Sequence, residues 1–180
     1  KFQAYSAAKG KPLWSFEVQT GIIAAPMTYA LGGEQYVAIM AGWGGGWGGA
    51  ALPGATRNIS RLLVFKLGGT ASLPPVSQAP LRPLDPPPFT GTAQQVARGT
   101  TDFGRFCFVC HGFAARAGGL NPDLRRSAML GDAAAIRTVV VDGALKHNAM
   151  PSFKPALDAG DAEDIRHYLI KRANDDKAAG

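Results

Sequence analysis

Three observations predict a multidomain chain in which a fragment of antiparallel β-structure precedes a small all-α domain. Short aromatic and branched runs between glycine turns fill residues 1–67. Seven of the chain's thirteen prolines fall between Pro74 and Pro88. After residue 92, capping residues stand ahead of apolar residues at helical spacing. The chain therefore divides into a β-zone over 1–67, a linker over 68–91 and a helical domain over 92–180.

In the first zone the strand-like runs are Phe2-Gln3-Ala4-Tyr5, Leu13-Trp14-Ser15-Phe16-Glu17-Val18, Gln35-Tyr36-Val37-Ala38-Ile39-Met40 and Arg61-Leu62-Leu63-Val64-Phe65-Lys66-Leu67. Gly10-Lys11-Pro12, Gly32-Gly33 and the glycines between 42 and 49 supply the turns. Four short strands with tight turns predict an antiparallel sheet, such as one propeller blade. The linker ends in Pro86-Pro87-Pro88. Proline fixes φ and removes a backbone donor, so the segment is expected to be extended and stiff. Its apolar residues Leu73, Val76, Leu81 and Leu84 predict that it lies along a protein surface. In the third zone Thr92 is expected to cap a helix running toward Phe106. Asp132 caps a second, with Ile136, Val139 and Val140 on one face and Gly143 as its stop. Asp161 caps a third, with Ile165, Tyr168 and Leu169 as its stripe and Lys171 and Arg172 in the last turn. So small a helical core calls for a staple or a large buried cofactor.

Composition narrows the function. The chain has 180 residues, 46% hydrophobic and 18% charged, which fits packed domains and not a disordered chain. No apolar run approaches the roughly 20 residues that span a bilayer. The chain opens Lys1-Phe2-Gln3 without an initiator Met, as a processed chain or a fragment would. The formal charge of +6 is spread out: residues 1–92 hold seven Lys/Arg against three Asp/Glu, and 93–180 hold twelve against ten. No basic block forms, so no nucleic-acid partner is expected.

Both cysteines of the chain lie in one pentapeptide, Cys107-Phe108-Val109-Cys110-His111, which excludes a disulfide scaffold. Two thiols three positions apart can each add to one vinyl group on a haem edge, and the next residue then turns its imidazole to the iron. C-x-x-C-H is thus the pattern of covalent c-type haem attachment. The competing readings are a thioredoxin-like redox pair, which needs a surrounding βαβ unit, and half of a zinc site, which usually needs a second cysteine pair. Neither context is present, and the helical surroundings favour haem.

The string His147-Asn148-Ala149-Met150-Pro151-Ser152-Phe153 resembles the distal-ligand loop of class I cytochromes c. The resemblance implies Met150 as the sixth ligand of the iron, opposite His111, with Met129 and His147 as rivals. Proline at 151 keeps the loop extended, and a thioether raises the reduction potential. Pro122, in Leu120-Asn121-Pro122-Asp123-Leu124, stands where that family's proline carbonyl accepts the proximal imidazole's Nδ1–H. The same resemblance implies that Gly99 and Phe103 on the first helix meet Tyr168 on the last.

The first zone carries a second resemblance. Ala4-Tyr5-Ser6-Ala7-Ala8-Lys9-Gly10-Lys11-Pro12-Leu13-Trp14 resembles the tryptophan-docking motif of quinoprotein propellers, with Ser6 in place of the usual acidic residue and Lys9 in place of threonine. It is followed by Gly21-Ile22-Ile23-Ala24-Ala25-Pro26-Met27-Thr28-Tyr29, Gln35-Tyr36-Val37-Ala38 and Gly42-Trp43-Gly44-Gly45, a succession similar to the last blades of those propellers. With the linker and the C-x-x-C-H domain, the whole chain resembles the C-terminal part of the quinohaemoprotein (type II) alcohol dehydrogenases: an antiparallel β-propeller fragment followed by an all-α cytochrome c domain. That family oxidises alcohols on pyrroloquinoline quinone (PQQ) beside a calcium ion and passes electrons through the haem. The resemblance implies an upstream propeller as partner, a soluble acceptor or membrane quinone as electron sink, and a periplasmic location. It places the catalytic base and calcium ligands on blades outside this chain, and Trp43 and Gly44 near the quinone. The alternative is a stand-alone electron-transfer cytochrome whose β-zone docks partners.

Overall fold

The computed structural model describes residues 1–42, 59–76, 81–117 and 121–180. Two antiparallel sheets occupy the first zone. Strands β1 (Phe2–Tyr5) and β2 (Pro12–Phe16) form a hairpin, and β3 (Met27–Leu31), β4 (Glu34–Ala41) and β5 (Arg61–Lys66) form a three-stranded sheet with β4 in the middle. Gly32 and Gly33 sit at φ +60 and +80, which a two-residue turn twisted to suit a hairpin requires and which other residues resist. That turn sets the register Leu31↔Glu34, and Tyr29 stacks on its cross-strand partner Tyr36 at 5.3 Å. Val18, Ile39, Ala41 and Leu63 make the core here, with Phe2, Phe16, Ile22, Phe65 and the linker's Leu73 packed against it.

The expectation of four strands in one sheet needs correcting. There are five described strands in two sheets, and Met27–Leu31 is the one not anticipated as a strand. All five of its residues are exposed, so it lacks the half-buried alternation by which strands are recognised. The expected run to Val18 also stops at Phe16, although Val18 is buried at 1% exposure just beyond.

The linker carries no regular structure over 69–76 and 81–92, and both stretches are tied down. The Gln19 side-chain amide donates to the Pro74 carbonyl at 3.2 Å. Farther on, Asn174 donates to the Pro87 carbonyl at 3.0 Å, Lys177 pairs with Asp85 at 3.3 Å, and the Phe89 ring meets His167 edge-on at 6.2 Å. Positions 167, 174 and 177 share one face of the last helix, so residues 85–89 run along it.

Helix α1 (Ala93–Asp102) begins at Thr92, whose hydroxyl accepts from the Gln95 N–H while the Gln95 side chain answers to the Thr92 N–H. A π-helical turn (Phe103–Cys107) and a short α2 (Phe108–His111) continue it. Asp132 caps α3 (Ala133–Val140), which buries Ile136 and Val140. The last helix, α4 (Ala159–Ala178), starts earlier than expected. Asp158, not Asp161, is its cap, accepting from the Gly160 and Asp161 N–H groups, and Asp161 closes the capping box. It also runs to Ala178, so Lys171 and Arg172 lie within the helix body, where they pair with Asp175 and Asp176 four residues on.

Ile165, Tyr168 and Leu169 are buried as expected, joined by Ala162, Ile170 and Ala173. The Phe103 and Tyr168 rings pack 5.1 Å apart, and Gly99 lies directly under the α4 backbone. A Cβ at Gly99 would come within 2.0 Å of the Asp164 carbonyl oxygen, whereas one at Gly104 would meet nothing within 4 Å. Gly99→Ala must therefore push α1 and α4 apart, and is expected to cost about 1–3 kcal/mol in a denaturant titration. Gly104→Ala, with no such obstruction, is expected to be neutral or to stabilise by up to about 1 kcal/mol.

Candidate functional site

The sequence Cys107 to His111 lies where the π-turn hands over to α2, and the two thiols face different surroundings. Cys107 is 5% exposed and belongs to the cluster of Phe103, Leu130, Ile165 and Tyr168, while Cys110 is exposed. Burial, helped by the nearby Asp102 carboxylate and by Cys110, pushes the Cys107 thiol up to about 12. A π-turn shifts the register of side chains along a helix, and this one stands directly before the attachment sequence.

His111, 6% exposed, places Nδ1 3.0 Å from the Pro122 carbonyl oxygen. A carbonyl oxygen only accepts, so Nδ1 carries the proton and Nε2 keeps its lone pair. Burial holds the imidazole below its ordinary pKa, although the Pro122 carbonyl pulls the other way, so the neutral ring is favoured. The donor set is thus one buried and one exposed thiol three positions apart, and one neutral imidazole whose Nε2 keeps its lone pair. Among the described residues no group of three or more His, Cys, Asp or Glu side chains gathers as a metal site. The thiols have no further ligands there with which to complete a tetrahedral zinc site. The chemistry of this donor set suits a covalently held haem.

The distal candidates divide differently. Met150 and Met129 are both half-buried against the same core, as is Phe153, and His147 is exposed. Met150 lies in a loop fixed at several points. Its own N–H donates to the Leu145 carbonyl at 3.3 Å, and the Phe153 N–H donates to the Val140 carbonyl at 2.9 Å. Ala149 before it adopts a left-handed φ of 63, which turns the chain ahead of Pro151. Trp43 and Gly44, expected near a quinone, lie outside the described residues.

The sequence reading missed a buried ionic cluster behind the proximal segment. Arg125, 8% exposed, wraps the Asp123 carboxylate through its backbone N–H and guanidinium, and reaches Asp176 on α4 at 2.7 Å. Asp176 also accepts from Arg116 at 2.6 Å and Arg172 at 3.0 Å. Burial raises the Asp176 carboxyl, but the bonds from Arg116 and Arg125 outweigh it and hold the group below the usual carboxylate range. The signal was present in the sequence: Asp176 falls seven residues after Leu169 and three after Ala173, on the helix face that is otherwise apolar.

The contrast between the two thiols has a direct test. In the haem-free chain at pH 8, iodoacetamide is expected to modify Cys110 at least about tenfold faster than Cys107, because only the thiolate reacts and a buried thiol stays protonated. Peptide mass mapping reads the two rates, and unfolding in denaturant is expected to equalise them.

Residues 94–169 match the family model described as cytochrome c oxidase, cbb3-type, subunit III. The chain is 48% identical over 187 residues to the quinohemoprotein alcohol dehydrogenase ADH IIB of Pseudomonas putida, covering 99% of this chain and 26% of that protein. It is 39% identical over 180 residues to the dehydrogenase subunit of the alcohol dehydrogenase (quinone) of Gluconobacter oxydans, covering 97% of this chain and 24% of the relative. Among solved structures, quinohemoprotein alcohol dehydrogenase ADHIIG from Pseudomonas putida HK5 superposes with a TM-score of 0.82 at 36% identity, over 96% of this chain and 25% of that one. The enzyme from Comamonas testosteroni gives 0.69 at 28%, again over 96% and 25%. The chain thus spans about a quarter of the length of the curated relatives it matches. With its sheets, its helical domain and its C-x-x-C-H segment all inside these matches, the chain is similar over nearly its whole length to the C-terminal, cytochrome-bearing part of quinohaemoprotein alcohol dehydrogenases.

Proposed function

We propose that residues 92–180 form a haem c domain that relays electrons within a PQQ-dependent alcohol dehydrogenase. Cys107 and Cys110 would bond the porphyrin, His111 would offer its Nε2 to the iron, and Met150 would offer its thioether to the same iron. The observation that carries this reading is the His111–Pro122 bond of 3.0 Å, because it fixes the one tautomer able to ligate a metal through Nε2. When bound, haem supplies a one-electron centre whose potential a thioether ligand raises. The chain's own residues hold, orient and shield that centre. Phe103, Leu130 and Tyr168 bury the inner thiol, and the anchored loop at 145–153 presents Met150.

In the whole protein, the β-zone is read as the end of a propeller whose upstream blades hold PQQ, calcium and the catalytic base. PQQ would supply the two-electron oxidation of an alcohol to an aldehyde there, and this domain would carry the electrons one at a time to a soluble acceptor or a membrane quinone. The bacterial relatives and the covalent haem support a periplasmic location. Among the described residues no helix is long and apolar enough to cross a membrane. Residues 68–91 serve as the linker, with their second half bound to the cytochrome side through α4.

Colour that stays with the polypeptide after acid–acetone extraction is the expected result for matured protein, and colour that leaves in the organic phase contradicts the proposal. Met150→Ala is expected to lower the reduction potential by removing the thioether, while Met129→Ala leaves it near the parent value. A potentiometric titration of each variant distinguishes the two methionines.

A further inference from the structure

A single carboxylate on α4 holds both flanks of the segment that carries Pro122. Arg116 lies five residues after His111 and donates to Asp176 at 2.6 Å. Arg125 lies three residues after Pro122 and donates to the same carboxylate at 2.7 Å. Arg125 also grips Asp123, the residue bonded to the Pro122 carbonyl carbon, through its backbone N–H at 3.1 Å and its Nε at 2.9 Å. The side chains of Arg125, Asp123 and Asp176 are each only 9–10% exposed. Ion pairs this sheltered keep a fixed geometry, and the planar guanidinium fork adds direction that a point charge lacks. The Pro122 carbonyl itself is attached to an exposed proline, so packing alone does not hold it in place.

We infer that Asp176, acting through Arg116 and Arg125, is a positioning residue that clamps the Pro122 carbonyl against the His111 Nδ1–H and thereby sets the reduction potential of the iron. The inference rests on the haem reading above. A firm Nδ1–H···O bond gives the imidazole more anionic character, which favours ferric iron and lowers the potential. Loosening the clamp weakens that bond and raises the potential.

The sign of the shift separates this from a plain charge effect. Arg125→Met removes a positive charge, so a purely Coulombic role predicts a lower potential, whereas the clamp predicts a higher one. Arg125→Lys keeps the charge and loses the fork, so Coulomb's law alone predicts no shift and the clamp again predicts a rise. The experiment is a potentiometric titration of the haem-loaded full chain and both variants, with the red absorption of thioether-ligated ferric haem followed in each. The expected result is an upward shift in both with that absorption retained. A fall in Arg125→Met with no shift in Arg125→Lys overturns the clamp. Loss of the red absorption also overturns it, since the cluster would then support the whole fold and not the proximal bond. If the Arg125 variants do not mature, Asp176→Asn is measured by solvent exchange of the His111 Nδ1 proton in the NMR spectrum of the ferrous state. Exchange at least about tenfold faster supports the clamp, and an unchanged rate overturns it. Wild-type protein that retains no haem after acid–acetone extraction overturns the haem reading itself, a result separate from any of these shifts.

Discussion

The helical domain is organised around the hydrogen bond between the His111 imidazole and the Pro122 carbonyl, 3.0 Å long, with the imidazole buried. That one contact decides which nitrogen bears the proton, and hence which nitrogen can bind a metal. It also constrains the chain, because the imidazole sits at the end of α2 and the carbonyl eleven residues farther on. The two groups meet although they lie eleven residues apart, and the Asp176 carboxylate on α4 ties down Arg116 and Arg125 on either side of Pro122 in the chain. Removing one partner from so buried a set of charges leaves the others unpaired, which typically costs about 3–5 kcal/mol.

The rest of the domain supports the attachment helix from behind. Gly99 lets α1 touch the α4 backbone, Phe103 meets Tyr168 beyond the crossing, and the π-turn then carries Cys107 into the same cluster. A second ion pair, Arg98 to the 8%-exposed Asp164 carboxylate at 2.5 Å, spans the same crossing. The linker's second half adds to α4 from outside through Asp85, Pro87 and Phe89. Stiff proline segments usually separate domains, but here part of the segment is packed onto one of them.

Much of this was legible in the sequence, for reasons that differ by residue. Thr92 and Asp132 were readable as caps because a short polar side chain ahead of an apolar stripe has few other uses. Asp161 misled because Asp158 and Asp161 both belong to one capping box, and spacing alone does not rank them. The strand Met27–Leu31 escaped because its partner, not its own burial, makes it a strand. Cys107, Cys110 and His111 stand out as haem candidates through their spacing, and the His111–Pro122 contact was expected from family resemblance. The Arg125–Asp176 cluster was hidden because its members lie 51 positions apart and charged residues are normally taken for surface. The π-turn at Phe103–Cys107 leaves no mark in hydrophobic periodicity over so few residues.

The central claim is that both thiols and the neighbouring imidazole serve one porphyrin. The most direct measurement is a tandem mass spectrum of the tryptic peptide 106–116 from matured protein. The account predicts a peptide heavier by one haem, joined through both Cys107 and Cys110. A peptide of unmodified mass, with two free thiols or a disulfide between them, contradicts it.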